Sequence, residues 1–329
     1  MIDLKLVKFG GTSVPSDKFH REMKNLIEEC DNLYPGIESW FKRKVLPGFS
    51  QKDRIGYLVC IDSIPVGATI IKRGTNAKIC SLRIIPDNQG NNLGELLFAL
   101  AAIELRGEAK RVHFTAPSQL WSEKSDFFSK FGFKLSGLAG TQYRLFDDEI
   151  SCDTTFDIYW KSVLRLLPSI GDSLSNQSGV KRCELVLSIK PDPARKILNG
   201  SKRIEIRRRF SQRWKGSRAV LYSSSPERAL VGEIKIGEII KDTPENIWNE
   251  YEKDVGCDKK TFQEYCKGAS KVYAIKIDEV KSFGSPLFGS QLEHLIESDI
   301  RPPQSYCEIK VNSVWPATVT LSHLITSRI

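Results

Sequence analysis

The segment from Ile79 to Leu100 constrains the fold of this 329-residue chain most strongly, because its periodicity changes from strand to helix within a few residues. Apolar and polar residues alternate up to Pro86, which is typical of a half-buried strand that ends where proline removes an amide donor. After a polar turn, leucines recur at helical spacing from Leu93 onward. Such a strand–loop–helix unit presents the first amides of the helix, and the helix dipole there favours an anion.

The loop of this segment is similar to the pyrophosphate loop of the GNAT superfamily of acyl-CoA N-acyltransferases. The family pattern is Arg/Gln-x-x-Gly-x-Gly/Ala after a hydrophobic-Pro pair, and residues 85–94 read Ile-Pro-Asp-Asn-Gln-Gly-Asn-Asn-Leu-Gly. Asn92 stands in place of a glycine, and asparagine tolerates left-handed backbone better than most residues. Residues 126–133 resemble the family's Phe-Tyr-x-x-x-Gly-Phe segment, and residues 64–68 resemble its second and third strands. The resemblance covers residues 1–147.

This resemblance implies an acetyl-CoA-dependent N-acetyltransferase. Backbone groups of the strand would position the pantetheine arm and the thioester, and amides of the loop would hold the pyrophosphate. A ligand can approach the backbone closely where glycine has no side chain. The expected cofactor-binding residues are Leu82, Arg83, Ile84, Gln89, Gly90, Asn91, Asn92, Leu93 and Gly94.

The chain departs from the family where many members place a tyrosine as general acid, because that position is Phe128. A thiol with a pKa near 8.5 still leaves readily, and proximity supplies much of the rate. A lysine acceptor needs a base, since its pKa is near 10.4, and Glu123 and Asp126 are the nearby carboxylates. Upstream, the sequence predicts a helix from Lys18 to about Cys30, a break at Tyr34-Pro35-Gly36, and a second helix that stops at Pro47-Gly48. Trp40 and Phe41 of the second helix either contact the acceptor or pack in the core, and we favour the core.

The residue pattern and composition change at residues 148–182, which we predict to link two domains. Aromatic and apolar residues from Phe156 to Leu167 recur at helical spacing and predict a helix with one apolar face. The glycine- and serine-rich run from Gly171 to Gly179 has the composition of a flexible linker. The sequence therefore predicts domains at residues 1–147 and 183–329.

Positive charge is concentrated at the start of the second domain. Between Lys181 and Arg218 there are 13 basic and 3 acidic residues, a density typical of a phosphate or nucleic-acid footprint. The alternative is a solvated basic strand edge, which charge also protects from aggregation. Pro191–Leu198 is predicted to be a short helix that Asn199-Gly200 stops. Strand alternation then places Ile204 and Ile206 in the core, and Arg203, Glu205 and Arg207 on the opposite face.

The same segment resembles the ASCH family of PUA-like β-barrels, whose motif is Gly-x-Lys-x-x-Glu-x-Arg. Residues 200–207 read Gly-Ser-Lys-Arg-Ile-Glu-Ile-Arg and fill the motif, and residues 301–306 resemble the family's Pro-Pro-Gln-Ser closing segment. The resemblance covers residues 183–310 and implies a cleft for RNA or a nucleobase. The expected binding residues are Lys202, Arg203, Glu205, Arg207, Arg208, Gln304 and Ser305. A purely structural ion-pair network is the alternative.

Some small ASCH proteins resemble N4-acetylcytidine amidohydrolases, in which a lysine and a threonine of the motif carry the chemistry. Lys202 matches that lysine, whereas Glu205 occupies the threonine position. Lys202 and Glu205 are therefore candidate catalytic residues of this domain, and hydrolysis of an acylated nucleoside is an alternative function.

The composition limits the remaining classes of site. The eight cysteines are widely spaced without a Cys-x-x-Cys pair and the four histidines are scattered, so we expect neither a disulfide framework nor a metal site. We expect a cytoplasmic protein without a membrane span, because no apolar run approaches the required length. The net charge of +9 favours an anionic partner. The oligomeric state is left open.

Together these patterns predict an α/β (α+β) protein with a central mixed sheet in its first domain and a PUA-like barrel in its second. The leading hypothesis is an acetyl-CoA-dependent N-acetyltransferase whose second domain binds the acceptor, RNA or a nucleobase or nucleotide. The alternatives are a non-enzymatic RNA-binding regulator with a degenerate first domain, and an amidohydrolase.

Overall fold

The computed structural model describes residues 4–11, 15–28, 36–139, 149–178 and 182–326. These residues form two compact units, which divide near residue 180. Both units contain strands and helices around a mixed sheet, so the predicted α/β class is confirmed. The predicted break at Tyr34–Pro35 and the predicted helix end at Cys30 lie outside the described residues. In the described ranges, none of the helices has both the length and the apolar character needed to cross a bilayer.

The first unit contains seven strands and six helices in its described part. The strands are β1 (Leu4–Phe9), β2 (Arg54–Ile61), β3 (Ile64–Lys72), β4 (Asn76–Ile84), β5 (Arg111–Pro117), β6 (Lys134–Leu138) and β7 (Glu149–Thr155). The helices are α1 (Asp17–Glu28), α2 (Ile37–Trp40), α3 (Leu46–Gln51), α4 (Leu93–Leu105), α5 (Ser118–Ser129) and α6 (Phe156–Ser178). Short turns at Phe41–Val45 (π) and Pro86–Asn88 (3-10) complete it.

The sheet of the first unit has the order β1-β2-β3-β4-β5-β7-β6, and β4 and β5 are its parallel pair. One face of this sheet packs against α1, α2 and α3 through a core that includes Phe9, Met23 and Phe41. The other face carries an aromatic cluster centred on Phe98 of α4, whose ring is 4.7 Å from that of Phe131. The sheet thus separates two apolar layers.

The helix predicted to stop at Pro47–Gly48 instead continues to Gln51 through the π turn at Phe41–Val45. Pro47 is the second residue of α3, and because it has no amide hydrogen it donates no hydrogen bond to the π turn before it. Sequence periodicity could not show this, because a π turn adds a residue without ending the helix.

The predicted flexible linker is helical in its described part, because α6 continues through Gly171 to Ser178. Two interactions within the first unit explain the extension: α6 packs along α4, and Ser173 of α6 accepts a hydrogen bond from Asn92. Strand β7 and helix α6, both within the predicted linking segment 148–182, belong to the first compact unit.

The second unit contains six strands and five helices in its described part. The strands are β8 (Cys183–Ile189), β9 (Ile204–Arg207), β10 (Arg218–Ser223), β11 (Ala229–Asp242), β12 (Val272–Phe288) and β13 (Tyr306–Glu308). The helices are α7 (Pro191–Leu198), α8 (Pro244–Tyr251), α9 (Lys259–Cys266), α10 (Gly289–Ile296) and α11 (Trp315–Thr326), with a 3-10 turn at Gln212–Trp214.

The sheet of the second unit has the order β13-β8-β10-β11-β12-β9, so β13 and β9 are its edge strands. The sheet curls until these edges meet through side chains. Arg207 of β9 donates to the carbonyl and hydroxyl of Ser305, directly before β13, and the ring of Phe210 is 4.7 Å from that of Tyr306. The curled sheet therefore encloses the side chains that point inward from β9.

Candidate functional site

A wedge-shaped gap opens in the sheet of the first unit between β4 and β5. The two strands pair only where residues 76–78 meet residues 111–113. Beyond Lys78, β4 bulges near Cys80 and stays paired with β3 alone, while β5 continues to pair with β7. Among the described strands, none pairs with the β5-facing backbone edge of residues 80–84, so an extended chain can pair with it.

The closed end of this gap carries polar side chains. Lys78 Nζ donates to Thr115 Oγ1 at 3.2 Å, and His113 Nδ1 lies 3.1 Å from Asn76 Oδ1. Burial lowers the pKa of His113, and the Lys78 ammonium lowers it further. His113 is accordingly neutral near pH 7 and can accept a proton. Sequence reasoning missed His113, because only the parallel pairing of β4 with β5 places it here.

The loop at the open end has the backbone of an anion site. Gly90 has φ 83° and Asn92 has φ 56°, both left-handed. Asn92 precedes α4 but does not cap it, because its side-chain amide donates to Ser173 Oγ at 2.7 Å. The first amides of α4 have no intrahelical acceptor, so an anion can accept their hydrogen bonds. The replacement of glycine at this position thus ties the loop to α6.

Gly94 and Gln89, which the sequence predicts to bind the cofactor, contact other residues of the first unit. A Cβ at Gly94 would lie 3.0 Å from Phe127 Cε2, so glycine is needed there for packing between α4 and α5, whereas Gly90 faces open space. The Gln89 side chain donates to the Ile84 carbonyl at 3.2 Å. This bond holds the loop to the strand, and a pantetheine arm would compete with it for that carbonyl. Leu82, Arg83 and Ile84 are half-buried, Asn91 is exposed and Leu93 is buried.

The two candidate bases and the residue at the family's general-acid position all lie on α5. Phe128 is buried, with its ring 4.5 Å from Phe114 in the aromatic cluster. Glu123 and Asp126 lie on the exposed side of α5, and Glu123 accepts from Gln119 at 2.9 Å.

The two aromatic residues proposed for the acceptor side divide between core and surface. Phe41 is buried in the core beneath the sheet. Trp40 is half-buried and packs against that core, with the Arg54 guanidinium 6.0 Å from its ring. Phe41 therefore packs in the core, as expected.

The second unit holds a buried charged cluster at β9. Lys202, Glu205 and Arg207 are each 7% exposed. The Glu205 carboxylate is 2.9 Å from Arg207 Nε and 3.3 Å from Lys202 Nζ, and Lys202 also donates to the Val255 carbonyl at 2.7 Å. Gly256 covers Lys202, since a Cβ there would lie 2.8 Å from the lysine Cβ. One carboxylate is thus shared by two buried cations.

Arg207 also joins this cluster to the other edge of the sheet. Its guanidinium donates to the Ser188 carbonyl at 2.7 Å and to Ser305 Oγ at 3.1 Å. Ser188 Oγ is buried and makes no hydrogen bond to the described residues. Buried hydroxyls normally have a partner, so a small polar ligand can complete the site beside Arg207.

The remaining expected residues of the second unit lie on its surface. Arg203, Arg208 and Gln304 are exposed, and Arg203 is outside the buried cluster. Of the three residues predicted to share a face, Glu205 and Arg207 form the buried cluster, and the exposed Arg203 does not belong to it. Arg208 follows β9 directly and lines a basic cavity.

Sequence reasoning missed Tyr265 of α9. Burial raises the pKa of its phenol, the Arg207 guanidinium opposes this rise and the Glu205 carboxylate adds to it. Helix α9 packs against β9 through Phe262 and Cys266, and Tyr265 of the same helix is 45% exposed. The raised pKa keeps its phenol protonated at neutral pH. No local pattern marks Tyr265, because its position depends on how α9 packs against β9.

A second group of titratable side chains joins three elements of the same unit. Ligand atoms of Cys183, Glu233 and His323 lie within 4.8 Å of one another, and His323 Nε2 contacts the Glu233 carboxylate. These are residue types that zinc takes. However, Arg218 lies 4.0 Å from Glu233 and already supplies positive charge. We therefore assign this group to an ion-pair network that fixes α11.

Part of the chain is similar to a protein family and to a named relative. A family described as a domain of unknown function (DUF365) matches residues 187–296. An ASCH domain-containing ribonuclease from Zymomonas mobilis is 26% identical over 124 residues, which are 38% of this chain and 82% of the ribonuclease.

Solved structures of an ASCH protein and of acetyltransferases are similar to the chain. A crystal structure of ASCH from Zymomonas mobilis is 24% identical, with a TM-score of 0.38 over 43% of this chain and 94% of that one. PaiA N-acetyltransferase from Thermoplasma acidophilum in complex with coenzyme A is 19% identical, with a TM-score of 0.34 over 46% and 98%. A putative GNAT acetyltransferase from Desulfovibrio desulfuricans is 13% identical, with a TM-score of 0.38 over 47% and 99%.

Proposed function

We propose that the first unit is an acetyl-CoA-dependent N-acetyltransferase and that the second unit binds the acceptor, RNA or a nucleotide base. The observation that carries the first part is the gap between β4 and β5, which leads to the loop before α4. The free edge of residues 80–84 would pair with the amide-containing pantetheine arm. The pyrophosphate would accept hydrogen bonds from the first amides of α4.

The transfer requires one C–S bond to break and one C–N bond to form. The acceptor amine attacks the thioester carbonyl and loses one proton, and the coenzyme leaves as a thiolate that takes up one proton. Phe128 donates no proton, so the thiolate would be protonated by solvent, which its pKa near 8.5 permits. His113 joins Glu123 and Asp126 as a candidate base, and an aromatic exocyclic amine needs the least help because it is already neutral.

The second part rests on the buried cluster of Lys202, Glu205 and Arg207. Glu205 would accept from the exocyclic amine of a base, and Arg207 would hold Glu205 in place. The orphaned Ser188 hydroxyl would bond to the same ligand. A nucleobase presents donors and acceptors in one plane, which suits this arrangement.

Isothermal titration of the full chain with acetyl-CoA tests the first part. We expect saturable heat at micromolar ligand, and about five- to tenfold weaker binding in Asn91→Asp, which adds a negative charge beside the pyrophosphate. Asn88→Asp adds the same charge before the loop and is the matched control. An absence of heat with high micromolar acetyl-CoA would eliminate the acetyltransferase proposal.

The candidate bases can be separated by the rate of acetyl transfer to an RNA or nucleoside acceptor. Glu123→Gln, Asp126→Asn and His113→Asn each remove one base, and general-base removal typically costs about 100-fold or more. Only the variant that lacks the true base should lose that much of its transfer rate at saturating acetyl-CoA. Equal rates in all three variants would indicate an acceptor that needs no base.

Hydrolysis of RNA by the second unit is a second candidate function. A relative named as a ribonuclease matches 38% of this chain, and the buried cluster contains a lysine, a glutamate and an arginine, while Tyr265 lies on the neighbouring helix α9. The Glu205 carboxylate could act as base, the Tyr265 phenol as acid, and Lys202 and Arg207 as phosphate ligands in metal-free RNA cleavage. Incubation of the full chain with labelled RNA and EDTA tests this. Cleavage that is abolished in Lys202→Met and Tyr265→Phe would support hydrolysis, and intact RNA would exclude it.

A further inference from the structure

A cavity of about 310 Å³ lies beyond the end of β9 in the second unit, and positive side chains dominate its lining. Arg208 and Arg209 approach from β9, and Lys241 and Lys271 approach from β11 and the start of β12. In the described part of the chain, none of these four cations is within ion-pair distance of a carboxylate. The cavity is therefore lined by four positive charges without a direct ion-pair partner.

The nearest acidic residue is already engaged elsewhere. Asp242, adjacent to Lys241, accepts from the Thr243 amide at 2.7 Å and from the Asn246 side chain at 3.0 Å. These bonds hold its carboxylate at the start of α8, so it interacts with Lys271 only at longer range and makes no ion pair in the cavity. Four like charges around one cavity repel one another, and an anion with several oxygens removes this cost.

Strand register connects the cavity to the buried cluster. Lys241 of β11 pairs with Tyr273 of β12, and Tyr273 pairs with Arg207 of β9. Residues directly opposite one another in neighbouring strands project from the same face of a sheet. The three side chains therefore form one row that runs from the buried guanidinium to the cavity, and Lys241 Nζ is 5.3 Å from the Tyr273 ring.

We infer that this cavity binds phosphate groups of the same nucleotide or RNA strand whose base enters the Lys202–Glu205–Arg207 cluster. The inference rests on the proposed nucleotide binding by the second unit. Two guanidinium groups can each hold a phosphate through two parallel hydrogen bonds, while the two lysines act as point charges. The strand register gives the order of binding along the row, with the base toward Arg207 and the phosphate toward Lys241.

Binding of a single-stranded RNA octamer to the full chain at several salt concentrations tests the inference. For single strands, removing one phosphate-binding cation lowers the slope of log K against log salt by about 0.7. We expect Arg209→Ala with Lys271→Ala to lower the slope by about 1.4, and to weaken purine-rich and pyrimidine-rich octamers equally. Lys253→Ala, an exposed lysine of the same unit outside the cavity, is the control.

A titration with inorganic phosphate separates failure of this inference from failure of RNA binding. Unchanged RNA affinity and slope in the double variant would overturn the cavity assignment and leave the proposed function standing. Phosphate binding that the double variant abolishes, without any RNA binding by the native chain, would keep the cavity and eliminate the RNA proposal. If neither ligand binds the native chain, both are overturned.

The source of the phosphate is resolved by octamers with and without a 5′-phosphate. Tighter binding of the 5′-phosphorylated octamer, abolished in the double variant, would assign the cavity to a terminal phosphate. Equal binding of both octamers, with both weakened in the double variant, would assign it to the internal phosphodiesters.

Discussion

The two candidate sites use opposite chemical strategies. The gap between β4 and β5 presents backbone amides and carbonyls, and the charged side chains of β4 beside it, Lys78 and Arg83, are only half-buried. The cluster at β9 instead holds Lys202, Glu205 and Arg207 in a space where each is 7% exposed. A backbone site loses little when most of its side chains change, whereas a buried carboxylate shared by two cations is sensitive to every substitution.

This difference determines which kind of ligand each site can distinguish. Backbone groups along a strand recognise any extended amide-containing chain, and the acyl group that it carries is selected by space alone. Buried charges impose direction, because each donor and acceptor must be satisfied by one arrangement of the ligand. We therefore expect the first site to tolerate different acyl groups and the second site to discriminate between similar polar ligands.

The largest expected effect is the loss of the Glu205 charge. Glu205→Gln keeps the shape of the side chain but leaves Lys202 and Arg207 buried without a counter-ion, and breaking such a pair costs about 3–5 kcal/mol. Urea unfolding of the second unit, followed by hydrogen-exchange mass spectrometry, measures this cost. Glu238→Gln, which breaks the exposed pair with Lys276, is the control and should leave stability near the native value. A small effect of Glu205→Gln would show that water already solvates the cluster.

The next effect separates packing from ligand approach at the loop of the first unit. Gly94→Ala places a methyl group 3.0 Å from Phe127 Cε2, and overpacking of this kind costs about 1–3 kcal/mol. Adding Phe127→Leu should restore part of the lost stability. Acetyl-CoA affinity of the folded protein should stay unchanged. A selective loss of affinity without a loss of stability would return Gly94 to the ligand site.

The sequence was most informative where one element carried the whole signal. The helix at Pro191–Leu198 begins at a proline and ends before Asn199-Gly200, and its bounds are those predicted. The alternation of Ile204 and Ile206 against Glu205 in β9 was predicted for the same reason. Local chemistry is sufficient when the signals for start, stop and periodicity agree within about ten residues.

Features that depend on packing between distant elements could not be predicted. His113 reaches the gap only through the pairing of β4 with β5, and Tyr265 reaches the cluster only through the position of α9. The polar residues of α6 have linker composition, and they are helical because Asn92 and α4 pack against them. In each case the deciding interaction joins residues that are remote in the chain.

A smaller effect tests the tether of the loop to α6. Asn92→Gly preserves the left-handed backbone but removes the hydrogen bond to Ser173, so we expect a loss of about 1 kcal/mol in stability. Asn92→Ala loses the same bond and adds the cost of a left-handed alanine, about another 1 kcal/mol. Urea unfolding of the first unit measures both. Equal stability of the two variants would show that the left-handed backbone at this residue carries no cost.

The smallest effects come from pH, and the two units should lose stability in different pH ranges. Because burial lowers the pKa of His113, the unfolded state takes up its proton first, and the first unit should lose stability as the pH falls below 6.5. At Glu233, burial acts to raise the pKa, but the hydrogen bond and charge of His323 outweigh it, and the pKa is lowered. Its contribution is present above 4.5 and is lost as the pH falls through the folded value.

Unfolding of the native chain between about pH 8 and pH 3, resolved by unit with hydrogen-exchange mass spectrometry, measures both windows. His113→Asn should remove the pH dependence of stability in the first unit below pH 6.5 and leave that of the second unit unchanged. Glu233→Gln should remove the pH dependence in the second unit below 4.5 and leave that of the first unit unchanged. A shared window for both units would mean that other groups dominate the proton balance. In that case the contrast between a mostly backbone site and a buried-charge site would not extend to stability.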